Sequence, residues 1–135
     1  MTSVFWDDLA SDLEDPEFLR EYITESVRIA TIDAVINALD EARISAGLSK
    51  AELARAIGAE PATVRRLFSA GAANPTLGTL AEVAAALGLR ISVEHLPKTE
   101  REAITTPLRA GRATKTAVER VSAMRKVRRK PTSAA

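Results

Sequence analysis

The chain has 135 residues, 46% of them hydrophobic and only 4% aromatic, with a formal net charge of +1. That size holds one ordinary domain with flanking arms, and the alanine-rich apolar content favours closely packed helices over an aromatic β core. Cysteine is absent, which excludes a disulfide framework, a thiolate metal site and a cysteine nucleophile.

The near-zero total hides a strong asymmetry. Residues 1–40 carry ten Asp/Glu against two Lys/Arg, a net of −8. Residues 41–97 come to +1, and residues 98–135, with eleven basic and three acidic side chains, to +8. Acidic head, neutral middle and basic tail imply different partners along one chain, or two solvated flanks around a domain. The opening MTSVFWDDLASDLEDPEF is acidic and interrupted, unlike a signal or transit peptide, and no apolar run approaches the roughly 20 residues of a membrane helix. The expected address is the cytosol.

In chain order, Asp15-Pro16-Glu17-Phe18 signals a helix start, with a capping acid, proline at the first position and a second acid in the first turn. Phe18, Tyr22, Ile23 and Val27 form one apolar stripe and Ile32, Val35, Ile36 and Leu39 another. The spacing predicts two helices meeting near Ala30-Thr31, with a single bent helix as the alternative. Gly47 ends this stretch. Ser49-Lys50-Ala51-Glu52 is a capping box opening a short helix that stops at Gly58. Pro61 starts the next helix, expected to reach about Ser69, and residues 70–75 form a loop. Thr76 or Thr79 caps a helix carrying Leu77, Leu80, Val83, Ala84 and Leu87, closed by Gly88. Alternation of Ile91, Val93 and Leu96 predicts a short strand before Pro97.

From Lys98 the pattern dissolves. Only Ile104, Leu108, Val118, Val121 and Val127 are large aliphatics, too few to offset the entropy of ordering, so the tail is expected to be disordered on its own. Val118, Val121, Met124 and Val127 recur every third residue, which would allow a helix against a partner.

The most informative stretch is GLSKAELARAIGAEPATVRRLF, residues 47–68. Two short helices crossing steeply need a small residue at their approach, supplied by Ala54, and a glycine in the turn, supplied by Gly58. Leu53, Ile57, Val64 and Leu67 would form the core between them. Capping box, small residue, glycine and aliphatic at these offsets rarely coincide by chance.

Here the sequence resembles the Cro and phage-repressor (XRE) family of helix-turn-helix regulators, from about Ile32 to Leu96. The likeness lies in Gly47-Leu48-Ser49, Glu52-Leu53-Ala54, Gly58 and Asn74-Pro75-Thr76-Leu77. It implies an all-α, lambda-repressor-like bundle over residues 32–96. Residues 1–31 would be an acidic arm and helix, and 97–135 a basic tail. The motif's second helix would lie in the major groove of a double-stranded operator, two copies binding as a homodimer. Carried over by position, Lys50 grips phosphate, Glu60, Pro61, Ala62, Thr63 and Arg66 fall on the face that meets the bases, Arg65 lies beside them, and Ser49 is counted with the DNA-binding residues. The sequence departs from the family there. Pro61 and Ala62 offer no side-chain hydrogen bond, and Glu60 is tolerable only if it accepts from a cytosine amine. Arg66, with Arg65, would then carry direct readout. The alternative is that Lys50, Arg65 and Arg66 are an ordinary solvated surface.

A second, less specific resemblance is to HigA-type antitoxins of toxin-antitoxin modules. It rests on Asp15-Pro16-Glu17-Phe18 with Tyr22, on Leu67-Phe68-Ser69 with its longer following loop, and on Gly88-Leu89-Arg90-Ile91-Ser92-Val93. It implies a RelE-type ribonuclease toxin as partner and repression of the chain's own operon. The acidic head suits that partner: Asp7, Asp8, Asp12, Glu14, Asp15, Glu17 and Glu21 would steer it, and Phe5, Trp6, Leu9, Leu13, Phe18 and Tyr22 would fix it. Trp6 packing onto the protein's own helix is the competing reading. Two further classes stay open: a stand-alone repressor without a toxin, and a protein-interaction adaptor that kept the fold and lost DNA contact. No enzyme is expected, since His95 is the only histidine and no phosphate loop, metal-ligand cluster or paired acids are legible; no cofactor is called for.

Overall fold

The structure is a computed structural model that describes residues 8–9, 11–69 and 74–125. The described residues form six helices: α1 Pro16–Ser45, α2 Lys50–Ala56, α3 Pro61–Leu67, α4 Leu77–Ala86, α5 Lys98–Ala110 and α6 Lys115–Met124. The all-α architecture agrees with the sequence reading. The described residues divide into two compact units, one joining those up to Ala30 with residues 94–125, the other formed by Thr31–Val93.

Local signals set the helix starts. The Asp15 carboxylate accepts the Glu17 N–H at 3.0 Å, satisfying one orphan donor of α1. Ser49 Oγ accepts the Glu52 N–H at 3.0 Å and Glu52 Oε1 accepts the Ser49 N–H at 2.9 Å, closing the box that opens α2. Of the two threonines that could start α4, Thr76 does so, accepting the Thr79 N–H at 3.1 Å.

The Thr31–Val93 unit packs Ile36 and Leu39 of α1, Leu53 and Ala54 of α2, Val64 and Leu67 of α3 with Phe68, and Val83 and Ala84 of α4 into one core. Ile32, Val35, Ile57, Leu80 and Leu87 lie half-buried against it. The expected core quartet is thus in place, three residues fully buried and Ile57 at the edge.

Three expectations change. The segment before Gly47 is one continuous helix of 30 residues, with no break at Ala30-Thr31. Its apolar stripes belong to different cores: Leu19 and Ile23 serve one, Ile36 and Leu39 the other. Residues 91–97 form no strand, because no neighbouring strand among the described residues is there to complete a ladder. Most of all, Lys98–Ala110 and Lys115–Met124 are helical where disorder was expected. Helices α5 and α6 pack on each other and, within their unit, bury Ala103, Ile104, Val118 and Val121 with Leu13, Leu19 and Ile23. Apolar area missing from the tail is supplied by the N-terminal segment, so the two offset their ordering entropy together.

Within that unit Gly111 closes α5 at φ 74°, and a Cβ there would stand 3.0 Å from Arg20 Nη2 and 3.1 Å from Pro16 Cβ. Arg20 Nε donates to Leu108 O at 3.1 Å. Arg125 stacks its guanidinium 4.5 Å from the centre of the Tyr22 ring, and Tyr22 Oη shares a hydrogen bond with Ser122 Oγ.

Candidate nucleic-acid interface

Helices α2 and α3 meet at Ala54, which is fully buried, so a larger side chain would force them apart. Gly58 makes the turn at φ 68°, in the left-handed region that a β-carbon disfavours. The Ala59 N–H returns to Ala54 O at 2.9 Å, tying the turn to the helix it leaves. Pro61 then occupies the first turn of α3, where its missing N–H removes no helical bond.

On α3, Val64 and Leu67 point into the core, and Phe68 beyond them is also buried. Opposite them, Pro61, Arg65 and Arg66 are exposed, and Ala62 and Thr63 are half-buried. At 100° per residue, Ala62 and Arg66 stand one turn apart on the outer side, as do Pro61 and Arg65. Ala62, Arg65 and Arg66 thus fall on the side of α3 away from the core, whereas Thr63 lies at its flank, half-buried. Glu60 precedes them as the N-cap residue, exposed, and its carboxylate does not cap the helix. Ser49 is engaged in the capping box, and Lys50, half-buried, is the first residue of α2. The Glu52 carboxyl lies below its ordinary pKa, chiefly because the Ser49 backbone N–H and then the Ser49 hydroxyl hydrogen-bond to it; Arg55 adds attraction.

Sequence reasoning missed the residue that holds this arrangement. Arg43, near the end of α1, is 1% exposed. Its Nε donates to Asp40 Oδ1 at 3.0 Å and its Nη1 to Leu48 O at 2.8 Å. The guanidinium lies 5.7 Å from the centre of the Phe68 ring. One side chain therefore links the end of α1, the connection to α2 and the residue that terminates α3. The available signal was an opposite-charge pair at i and i+3 beside Ile36 and Leu39, on the face that turns inward.

The residues assigned to a toxin fare differently. Phe5 and Trp6, with Asp7, lie outside the described residues. Leu13 is buried, Leu9 and Tyr22 pack against the same core, and only Phe18, at 39% exposure, presents much apolar surface. The contact surface expected of Leu9, Leu13 and Tyr22 is spent inside their own unit, because α5 and α6 cover that side. Asp8, Asp12, Glu14, Asp15, Glu17 and Glu21 are all exposed.

Two short helices crossing at a buried alanine, joined by a left-handed glycine, with a core-anchored second helix presenting two arginines, define a helix-turn-helix. Residues 39–93 match the family model described as helix-turn-helix. That match supports a DNA-binding transcriptional regulator. No curated protein and no solved structure matches the chain. Among the described residues no helix is long and apolar enough to cross a membrane, and no cluster of metal-ligating side chains occurs.

Proposed function

We propose that the protein is a transcriptional repressor that binds an operator as a homodimer, with α3 in the major groove and no catalytic role. The observation that carries this reading is the pair Arg65 and Arg66, exposed on a helix whose other side is locked by Val64, Leu67 and Phe68. A helix fixed in this way can present guanidinium groups to guanine O6 and N7 without first losing the entropy of docking. Lys50 would set register on phosphate. The domain carries little net charge, so two copies are needed to collect enough backbone contacts.

The exposed acidic run from Asp8 to Glu21, with Phe18 beside it, favours a finer reading. In it the protein is a cytoplasmic antitoxin of the HigA type that represses its own operon and neutralises a basic RelE-type ribonuclease. Phe18 and the acids then form the described part of the toxin contact, and Leu9, Leu13 and Tyr22 support it from beneath.

The test is a gel shift on the upstream region at two salt concentrations, with Arg66→Ala as the variant. Specific binding that weakens with salt is expected, and the variant should lose about 1–3 kcal/mol of discrimination against mismatched sites. Unchanged selectivity would overturn the base-reading assignment, and salt-independent or absent binding would return the chain to the adaptor class. Copurification with the product of the neighbouring gene separates antitoxin from stand-alone repressor, and Arg66→Ala should leave it intact.

A further inference from the structure

The segment after α4 is unusual for a linker. Gly88 ends the helix at φ 76° and the Leu89 N–H is tied to Ala84 O at 2.8 Å. At the other end Arg101 Nη2 donates to Leu96 O at 3.1 Å, just before α5. Between these anchors every residue is exposed, and no backbone group of Arg90–His95 enters a hydrogen bond among the described residues. Leu89, Ile91 and Val93 expose 44%, 38% and 99% of their surface. A run of solvent-facing aliphatics with unpaired amides is a template for pairing, and alternation of this kind belongs to a strand.

The sequence also says what should pair with it. If two copies of Leu89-Arg90-Ile91-Ser92-Val93-Glu94-His95 align antiparallel about a two-fold axis through Ser92, Arg90 of each faces Glu94 of the other. Ile91 faces Val93, and Leu89 faces His95. Both opposite-charge pairs fall on one side of the ribbon with Ser92, and the Leu, Ile and Val side chains of both copies fall on the other. Sliding the register by two residues would set Arg90 against Ser92 and lose both ion pairs, while a slip of one would mix the two faces.

We infer that residues 89–95 form the homodimer contact by pairing as antiparallel β-strands with a second copy of this chain, in the register centred on Ser92. This deepens the repressor reading, since it supplies the two-fold axis that reading requires. It also accounts for a strand pattern that one chain leaves unformed.

The chain contains no cysteine, so a single introduced thiol reports the axis directly. Under mild oxidation Ser92→Cys should yield a covalent dimer in high proportion. Arg90→Cys should not, because its own counterpart lies four residues away, roughly 14 Å along the ribbon and beyond disulfide reach. In sedimentation equilibrium of the full chain, Arg90→Glu should weaken dimerisation about tenfold or more, Glu94→Arg similarly, and the double exchange should restore it. Circular dichroism checks that these surface variants remain folded. A monomeric parent, equal crosslinking at positions 90 and 92, or single exchanges without effect would overturn the inference, as would a double exchange that fails to rescue. All readouts are made without DNA, so a failed operator shift would leave this contact standing, and a failed crosslink would leave DNA binding standing.

Discussion

Arg43 and Asp40 show how much a single buried charge controls. Their side chains are 1% and 8% exposed, so removing either partner leaves the other charged in the interior. Asp40→Ala keeps the Arg43 bond to Leu48 O and the contact with Phe68 but strips away the carboxylate that binds the guanidinium. Breaking a buried pair in this way costs about 3–5 kcal/mol, whereas replacing both members with apolar residues of similar volume is often neutral. Urea unfolding should therefore show a large loss for Asp40→Ala and a much smaller one for Asp40→Leu combined with Arg43→Met. Equal losses would mean that Arg43 contributes specific hydrogen bonding and stacking that an apolar pair cannot replace. Because Phe68 ends α3, the single variant should also weaken operator binding near its unfolding midpoint and not far below it.

At the scale of elements, the α2–α3 crossing depends on the backbone at Gly58. A Cβ there would meet nothing within 4 Å, so Gly58→Ala introduces no clash. What remains is the left-handed φ of 68°, worth about 1–2 kcal/mol for a residue with a β-carbon. Thermal unfolding should show a destabilisation of that size for Gly58→Ala, and clearly less for Gly58→Asn, whose side chain tolerates the conformation. This junction was readable from sequence for the same reason that it is sensitive: capping boxes, turn glycines and first-turn prolines act within four or five residues and need no tertiary partner. Which side of α3 faces outward followed, since Val64 and Leu67 turn into the core and Arg65 and Arg66 are left exposed. Arg43 was not readable, because an i, i+3 charge pair is usually a solvated one, and its meaning here comes from the packing around it. The continuity of α1 was hidden by its own double duty. Leu19 and Ile23 answer to one core and Ile36 and Leu39 to another, so the apolar stripe shifts without the helix ending.

At the scale of the molecule, described residues of the acidic head and of the basic tail share one apolar core that a chain-order reading keeps apart. Taken alone, the tail lacks the apolar area to fold; its buried positions among the described residues are Ala103, Ile104, Pro107, Gly111, Val118 and Val121, mostly small. Its missing half is the face of α1 that carries Leu19 and Ile23, more than 70 residues away in sequence, and no local rule connects them. The two cores share no residue. Val121→Asp tests that separation. Val121 is fully buried, and a carboxylate placed there without a partner must either disrupt the packing or take up a proton. Circular dichroism should register loss of helix from α5, α6 and the start of α1, and the residual structure should recover partly at low pH, where the introduced acid is neutral. The core beneath α3 keeps every one of its own contacts in this variant, so the operator shift should persist at neutral pH with its salt dependence unchanged. Loss of specific DNA binding in step with the helical signal would show that the domain of residues 39–93 draws its stability from outside its own core.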